Sequence, residues 1–190
     1  LGVGTPYAGT TYTPSFTSNS DAASRAVFEY KEKNADDSKY SKTAPDKVGT
    51  YVVRVTIPET DTFAKATATA DFRIIYLDAP QTAYVIEGQP GKNNYYVSDV
   101  VLKAPTGFTI SAVYGGTYTP SIPYKDGITS VYLKRNADNA LTTAIPIVNA
   151  PRVDKSAPSI STPNGAIAPG SVIYTSDFTV NISDPNLRSL

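Results

Sequence analysis

Two adjacent tyrosines, Tyr95 and Tyr96, follow directly on Asn93-Asn94. Phenol rings offer flat apolar faces with a polar tip, and asparagine amides both donate and accept hydrogen bonds. Together they suit stacking on a sugar ring or packing against a protein loop. In a strand, successive side chains point to opposite faces, so one ring must face outward. Tyr95 is assigned to that side. Tyr95, Asn93 and Asn94 are therefore the candidate ligand-binding residues, with a host glycan or protein as partner. Hard oxygen ligands form a second group. Asn34, Asp36 and Asp37 make one acidic turn, Asp138-Asn139 another, and Asp184 and Asn186 flank Pro185. Calcium takes about six to eight such oxygens. Asp36, Asp37 and Asp184 are the candidate calcium ligands, although none sits in a complete ligand loop. Ordinary Asx turns use the same residue types.

Other chemistries lack their residues. The chain has no His and no Cys. Ser–His–Asp and Cys–His catalysis cannot be assembled, nor can a zinc site of the usual kind. Paired carboxylates would support glycoside hydrolysis. The glutamates are Glu29, Glu32, Glu59 and Glu87, and Glu29 alternates with apolar positions, which places it on a solvated sheet face. Gly88-Gln89-Pro90-Gly91-Lys92 lacks the spacing and the Ser/Thr of a phosphate loop and reads as a turn. Lys plus Arg equals Asp plus Glu, 17 each. That balance gives no nucleic-acid footprint and no electrostatic attraction to a membrane surface. No apolar run approaches the ~18 residues of a spanning helix. Neither catalysis nor membrane insertion is expected from residues 1–190, and calcium is the only cofactor considered.

The elements that must position these residues are strands. The chain holds 14 Tyr, 6 Phe, 15 Pro and 12 Gly but no Trp. With abundant Thr and Val, this composition suits short strands between frequent turns. From Gly49 the chain reads GTYVVRVTI, so Tyr51, Val53, Val55 and Ile57 share one face. From Thr67 it reads TATADFRII, where Ala68, Ala70, Phe72 and Ile74 alternate with Thr67, Thr69, Asp71 and Arg73. Phe28 and Tyr30 alternate with Glu29 and Lys31 in a third strand. In the next stretch Tyr96, Val100 and Leu102 fall on one face. No segment carries a helical stripe; residues 19–25 are too short for one. The fold class expected is all-β.

An internal repeat divides the chain. Ala79-Pro80 and Tyr96-Val97-Ser98-Asp99 recur as Ala157-Pro158 and Tyr174-Thr175-Ser176-Asp177, 78 residues on and without a gap. The apolar register recurs too, as Tyr174, Phe178 and Val180. Tyr7-Ala8-Gly9-Thr10-Thr11-Tyr12-Thr13-Pro14 and Tyr114-Gly115-Gly116-Thr117-Tyr118-Thr119-Pro120 make a weaker echo that needs one gap. Shared turn-and-strand composition accounts for it equally well. A period of 78 fits a small β-sandwich. Residues 1–75 are read as a first module, 76–154 as a second, and 155–190 as the beginning of a third, incomplete one. The parent protein is expected to continue past Leu190. The joints end in Ala-Pro, which favours extended backbone, so an extended rod is expected.

The first module resembles bacterial immunoglobulin-like repeats of large surface proteins of gut anaerobes. The residues that carry the resemblance are Tyr7-Ala8-Gly9, Tyr12-Thr13-Pro14, Phe28-Glu29-Tyr30-Lys31, Tyr40, Pro45 and Gly49-Thr50-Tyr51-Val52-Val53-Arg54-Val55. In the second module, Gly91-Lys92-Asn93, Tyr96-x-Ser98-Asp99, Pro105-x-Gly107-Phe108 and Asp154-Lys155-Ser156-Ala157-Pro158 resemble companion modules of such proteins. The resemblance implies tandem immunoglobulin-like β-sandwich modules of a secreted, multidomain, adhesin-like protein at a bacterial cell surface. Any anchoring signal would lie outside residues 1–190. The role it implies is a non-catalytic spacer or stalk that displays a binding or catalytic domain, with neighbouring modules of the same chain as partners. The other reading is a carbohydrate-binding accessory region of a secreted glycan-degrading enzyme.

Overall fold

Alternation of apolar and polar residues organises the first sheet. A computed structural model describes residues 1–92, 95–162, 165–166 and 180–183 of the chain. β1 (Val27–Glu32), β2 (Gly49–Ile57) and β3 (Ala66–Ile74) pair antiparallel in the order β1-β2-β3. Tyr30 lies opposite Val53, and Phe72 opposite Tyr51. This register gathers Tyr30, Tyr51, Val53, Val55, Ile57, Phe72 and Ile74, all buried, on the face that GTYVVRVTI and TATADFRII predict. The N-terminal segment covers that face: Ala8 is buried there, and Leu1 and Tyr12 pack on it. Phe72 is the centre of the cluster, with ring centroids of Tyr12, Tyr51 and Tyr30 at 5.3, 5.7 and 6.2 Å. Tilted and edge-on pairs of this kind each contribute about 0.5–1.5 kcal/mol beyond area burial.

The opposite face is ionic. Glu29 lies across from Arg54 in the β1–β2 register, and Arg54 Nη2 donates to Glu29 Oε2 at 2.9 Å. The same guanidinium sits 3.8 Å from the centroid of the Tyr40 ring.

The next region has two three-stranded antiparallel sheets over one core. β4 (Val85–Glu87), β6 (Val101–Lys103) and β8 (Ser121–Pro123) form one, ordered β4-β6-β8. β7 (Phe108–Ser111), β9 (Ser130–Arg135) and β10 (Ile145–Pro146) form the other, ordered β10-β9-β7. Leu102 from the first sheet meets Ile110, Val131 and Leu133 from the second, all at zero exposure. Buried Thr142 is satisfied, because its hydroxyl accepts the Leu133 amide at 3.0 Å. A short parallel pair, β5 (Tyr95–Tyr96) with β11 (Arg152–Val153), lies beside them. Beyond it, β12 (Ser159–Thr162) pairs antiparallel with β13 (Gly165–Ala166) and with β14 (Asn181–Ser183).

The protein is therefore all-β. Among the described residues the only helical turns are 3-10 turns at Ala23–Arg25 and Asp37–Lys39. One strand differs from the pattern read in the sequence. Tyr96 to Leu102 does not run as one element: β5 ends at Tyr96 and β6 begins at Val101. Ser98 explains the break. Its hydroxyl accepts the Gln89 amide at 2.8 Å and donates to the Asp99 carbonyl at 2.9 Å, so a local side-chain bond replaces ladder pairing. Val100 and Leu102 are nevertheless buried. The repeat of this motif at 174–177 lies outside the described residues. Val180, its last apolar position, is 38% exposed.

Candidate functional site

The segment read as a Gly-Pro turn leads into β5. Gly91 donates its amide to the Tyr95 carbonyl at 2.7 Å, and Tyr95 donates to the Lys92 carbonyl at 3.1 Å. On the other side, Arg152 and Val153 pair in parallel with Tyr95 and Tyr96, and the Asp154 amide donates to the Tyr96 carbonyl at 2.8 Å. Between these elements runs an open groove of about 660 Å³, whose walls include Ile86, Tyr95, Tyr96, Asn149, Pro151 and Arg152. The Arg152 guanidinium lies 5.4 Å from the Tyr95 ring centroid.

Tyr95 thus stands in the groove, beside a cation that sequence reasoning did not single out. The rule that one of two adjacent rings faces out is too simple here. A two-residue strand has no long alternation to obey, and both rings are half-buried and line the groove. Asn93 and Asn94 lie outside the described residues.

The candidate calcium ligands are placed differently. Asp37 is exposed and its carboxylate meets Lys31 Nζ at 2.9 Å. The hydrogen bond from Lys31, with its charge, holds the Asp37 carboxyl below the usual carboxylate range. Asp36 is exposed, and its carbonyl accepts the Lys39 amide at 2.9 Å. Asp184 lies outside the described residues. Asp138 is taken by a bidentate bond from Arg135, at 2.9 and 2.6 Å. Among the described residues no three His, Cys, Asp or Glu side chains converge on a cation position. Of the glutamates, Glu29 is engaged by Arg54 and Glu87 by Lys103, each as an ion pair on a strand.

A second constellation joins the two regions. Ile75 forms a parallel bridge with Tyr7, and Leu77 forms one with Thr142. Four backbone bonds run through the joint in series. Ile75 donates to Pro6 at 3.1 Å, Ala8 to Ile75 at 2.8 Å, Leu141 to Ala8 at 2.9 Å, and Leu77 to Leu141 at 2.8 Å. Leu141 also packs against the first core. Gly9 allows the approach: its φ is +81°, and a Cβ there would stand 2.6 Å from the Asn139 carbonyl oxygen. Arg135 lies over the Tyr7 ring at 5.3 Å. Tyr114 bridges Tyr76 and Tyr132 edge-on, with centroids at 6.0 and 5.6 Å. Burial, with the Tyr76 phenol nearby, pushes the Tyr114 hydroxyl up to about 12.

Tyr7-Ala8-Gly9 stood out in the sequence, yet nothing there marked it as a joint. The one available signal was Gly9, since a glycine after two larger residues suits a positive φ or a close approach. The second joint echoes the first. Val153 pairs in parallel with Tyr96, and Val153 follows Ile75 by 78 residues, the offset of the repeat. Lys155 adds an ion pair to Asp99 at 2.7 Å. Comparison of the chain with protein-family models, with curated proteins and with solved structures finds no match.

Proposed function

We propose that the chain forms tandem immunoglobulin-like modules, residues 1–75 and 76–154 with a third beginning at 155. They would act as a non-catalytic spacer at a bacterial cell surface, holding a binding or catalytic domain away from the cell. The backbone relay through Ile75, Ala8, Leu141 and Leu77 carries this reading. Domains joined in one chain move relative to each other by default unless the contact between them is large and well tied. Here the linker itself is hydrogen-bonded to both sides, so bending would break backbone bonds. Parallel pairing of the closing segment with Tyr7, and of its equivalent with Tyr96, also covers strand edges that would otherwise invite association.

The chain's lack of cysteine makes the test direct. Thr69→Cys on β3 and Lys103→Cys on β6 introduce two exposed sites for spin labels. A narrow distance distribution between the labels is expected of a spacer. A broad one, as from freely hinged beads, would overturn the reading. The groove at Tyr95 favours the second reading, a carbohydrate-binding accessory region, and its chemistry is more specific than the sequence suggested.

A further inference from the structure

We propose that the groove between β5 and β11 binds a pyranose ring bearing a carboxylate, with Arg152 on the carboxylate and Tyr95 against the ring. This goes beyond the spacing role and does not depend on it. Three observations converge. First, Arg152 is exposed, and among the described residues it has neither an ion-pair partner nor a hydrogen bond from its guanidinium. The other two arginines that stack on tyrosines, Arg54 and Arg135, are each matched by an acid. Arg152 stacks on Tyr95 and lacks the acid. A guanidinium held over a ring keeps its in-plane N–H donors, and their fork matches a carboxylate.

Second, the groove supplies the rest of a sugar site. Tyr95 and Tyr96 are half-buried side by side, which fixes their rings without covering them. Flat phenol faces suit the C–H face of a pyranose, and their hydroxyls reach its oxygens. A volume of about 660 Å³ falls within the ~300–1,000 Å³ of small-ligand sites.

Third, the walls are held in place. The parallel pairing of β11 with β5 sets Arg152 directly beside Tyr95. The Lys155–Asp99 pair at 2.7 Å ties the same two segments again, a few residues along. Asn149, on the rim, sits at φ +53°, a left-handed conformation that asparagine adopts more readily than other non-glycine residues and that suits a turn into β11. A neutral sugar would use the rings and leave Arg152 idle, so charge should decide the preference.

The test is an amide and side-chain NMR titration of the 190-residue chain. The probes are an oligogalacturonate, sialyllactose, neutral galactose and lactose oligosaccharides, and a glutamate peptide. The carboxylated sugars are expected to shift Tyr95, Tyr96 and Arg152 and to bind at least about tenfold tighter than neutral counterparts. Arg152→Gln should erase that margin, and Arg152→Lys should restore part of it. Binding of oligogalacturonate alone would point to a polysaccharide source, and of sialyllactose alone to a glycan terminus; either supports the site. Arg152 is exposed, so its variants should keep the fold, and unchanged amide dispersion checks this. Equal affinity for neutral sugars, insensitivity to Arg152→Gln, or no shift at Tyr95 with any sugar would overturn the proposal. So would equal binding of the glutamate peptide, which would make the groove a generic anion surface.

Discussion

The Leu141 amide donates to the Ala8 carbonyl at 2.9 Å, although 133 positions separate the two residues in the chain. Leu141 then accepts from Leu77 and lays its side chain on the first core. One residue thus takes part in the packing of one region and the chain path of the other. Stability and geometry at the joint are therefore coupled.

Gly9 tests that coupling against a built-in control. Gly9 and Gly107 both have positive φ, +81° and +84°. Alanine at either position carries backbone strain of about 1–2 kcal/mol. At Gly107 an added Cβ meets nothing within 4 Å, whereas at Gly9 it would press on the Asn139 carbonyl at 2.6 Å. Gly107→Ala should lower the denaturation midpoint and leave the Thr69–Lys103 label distance alone. Gly9→Ala should lose more stability and also broaden that distance. Equal broadening in both would show that the clash at Asn139 has no role in holding the joint.

Alkaline pH should act at the same place. The Tyr114 hydroxyl is raised from 10.0 to about 12 because burial and the Tyr76 phenol disfavour the phenolate. A raised pKa favours the neutral form in the fold. Its contribution is fully present below the unfolded value of about 10 and is lost as pH climbs toward about 12. Tyr114 is 38% exposed, so the loss is smaller than full burial would give. Tyr30, Tyr51 and Tyr118 are raised as well, so the measurement must be a difference. Urea unfolding across this range should show a steeper decline for the native chain than for Tyr114→Phe. Parallel declines would remove Tyr114 from the joint's pH response.

Ser98 offers a smaller, local effect. Its hydroxyl is the acceptor for the Gln89 amide at 2.8 Å. In Ser98→Ala that amide must turn to water. The site is exposed, so the cost should stay near the ~0.5–1.5 kcal/mol of an ordinary hydrogen bond, at its lower end. Amide exchange should quicken at Gln89 and leave β9 unchanged. Unaltered protection at Gln89 would mean that the bend is held by other bonds.

The residues legible in the sequence were those whose environment is set by neighbours along the chain. Period-two alternation placed Tyr51, Val53, Phe72 and Ile74 inside and Glu29 outside, because a pleated strand admits no other arrangement over nine residues. Tyr96 to Leu102 misled because one serine hydroxyl outcompeted the ladder, and single residues leave no period. The groove shows the same limit. Tyr95 drew attention through its type, but Arg152 is 57 residues away and reaches it only through parallel pairing, which no local pattern announces. Gly9 lay hidden likewise, because what it must avoid is a carbonyl 130 positions further on.

Phe72 tests how far the two cores behave as one. It touches Tyr12, Tyr30 and Tyr51, and among the described residues of the second region only half-buried Leu141 packs against its cluster. Phe72→Ala removes a buried ring and should cost the first sheet about 3–5 kcal/mol. Most of a small domain's stability is of that order, so β1–β3 should open in mild denaturant while Ile110, Val131 and Leu133 stay packed. Hydrogen exchange would show amides of β2, and of Leu77 and Leu141 at the joint, losing protection while those of β7 and β9 keep theirs. Phe72→Leu should restore part of the protection, since it refills volume without the ring contacts. If Phe72→Ala instead strips protection from β9 to the same degree, the relay through Leu141 makes the two regions a single cooperative unit, and the joint bends only by unfolding.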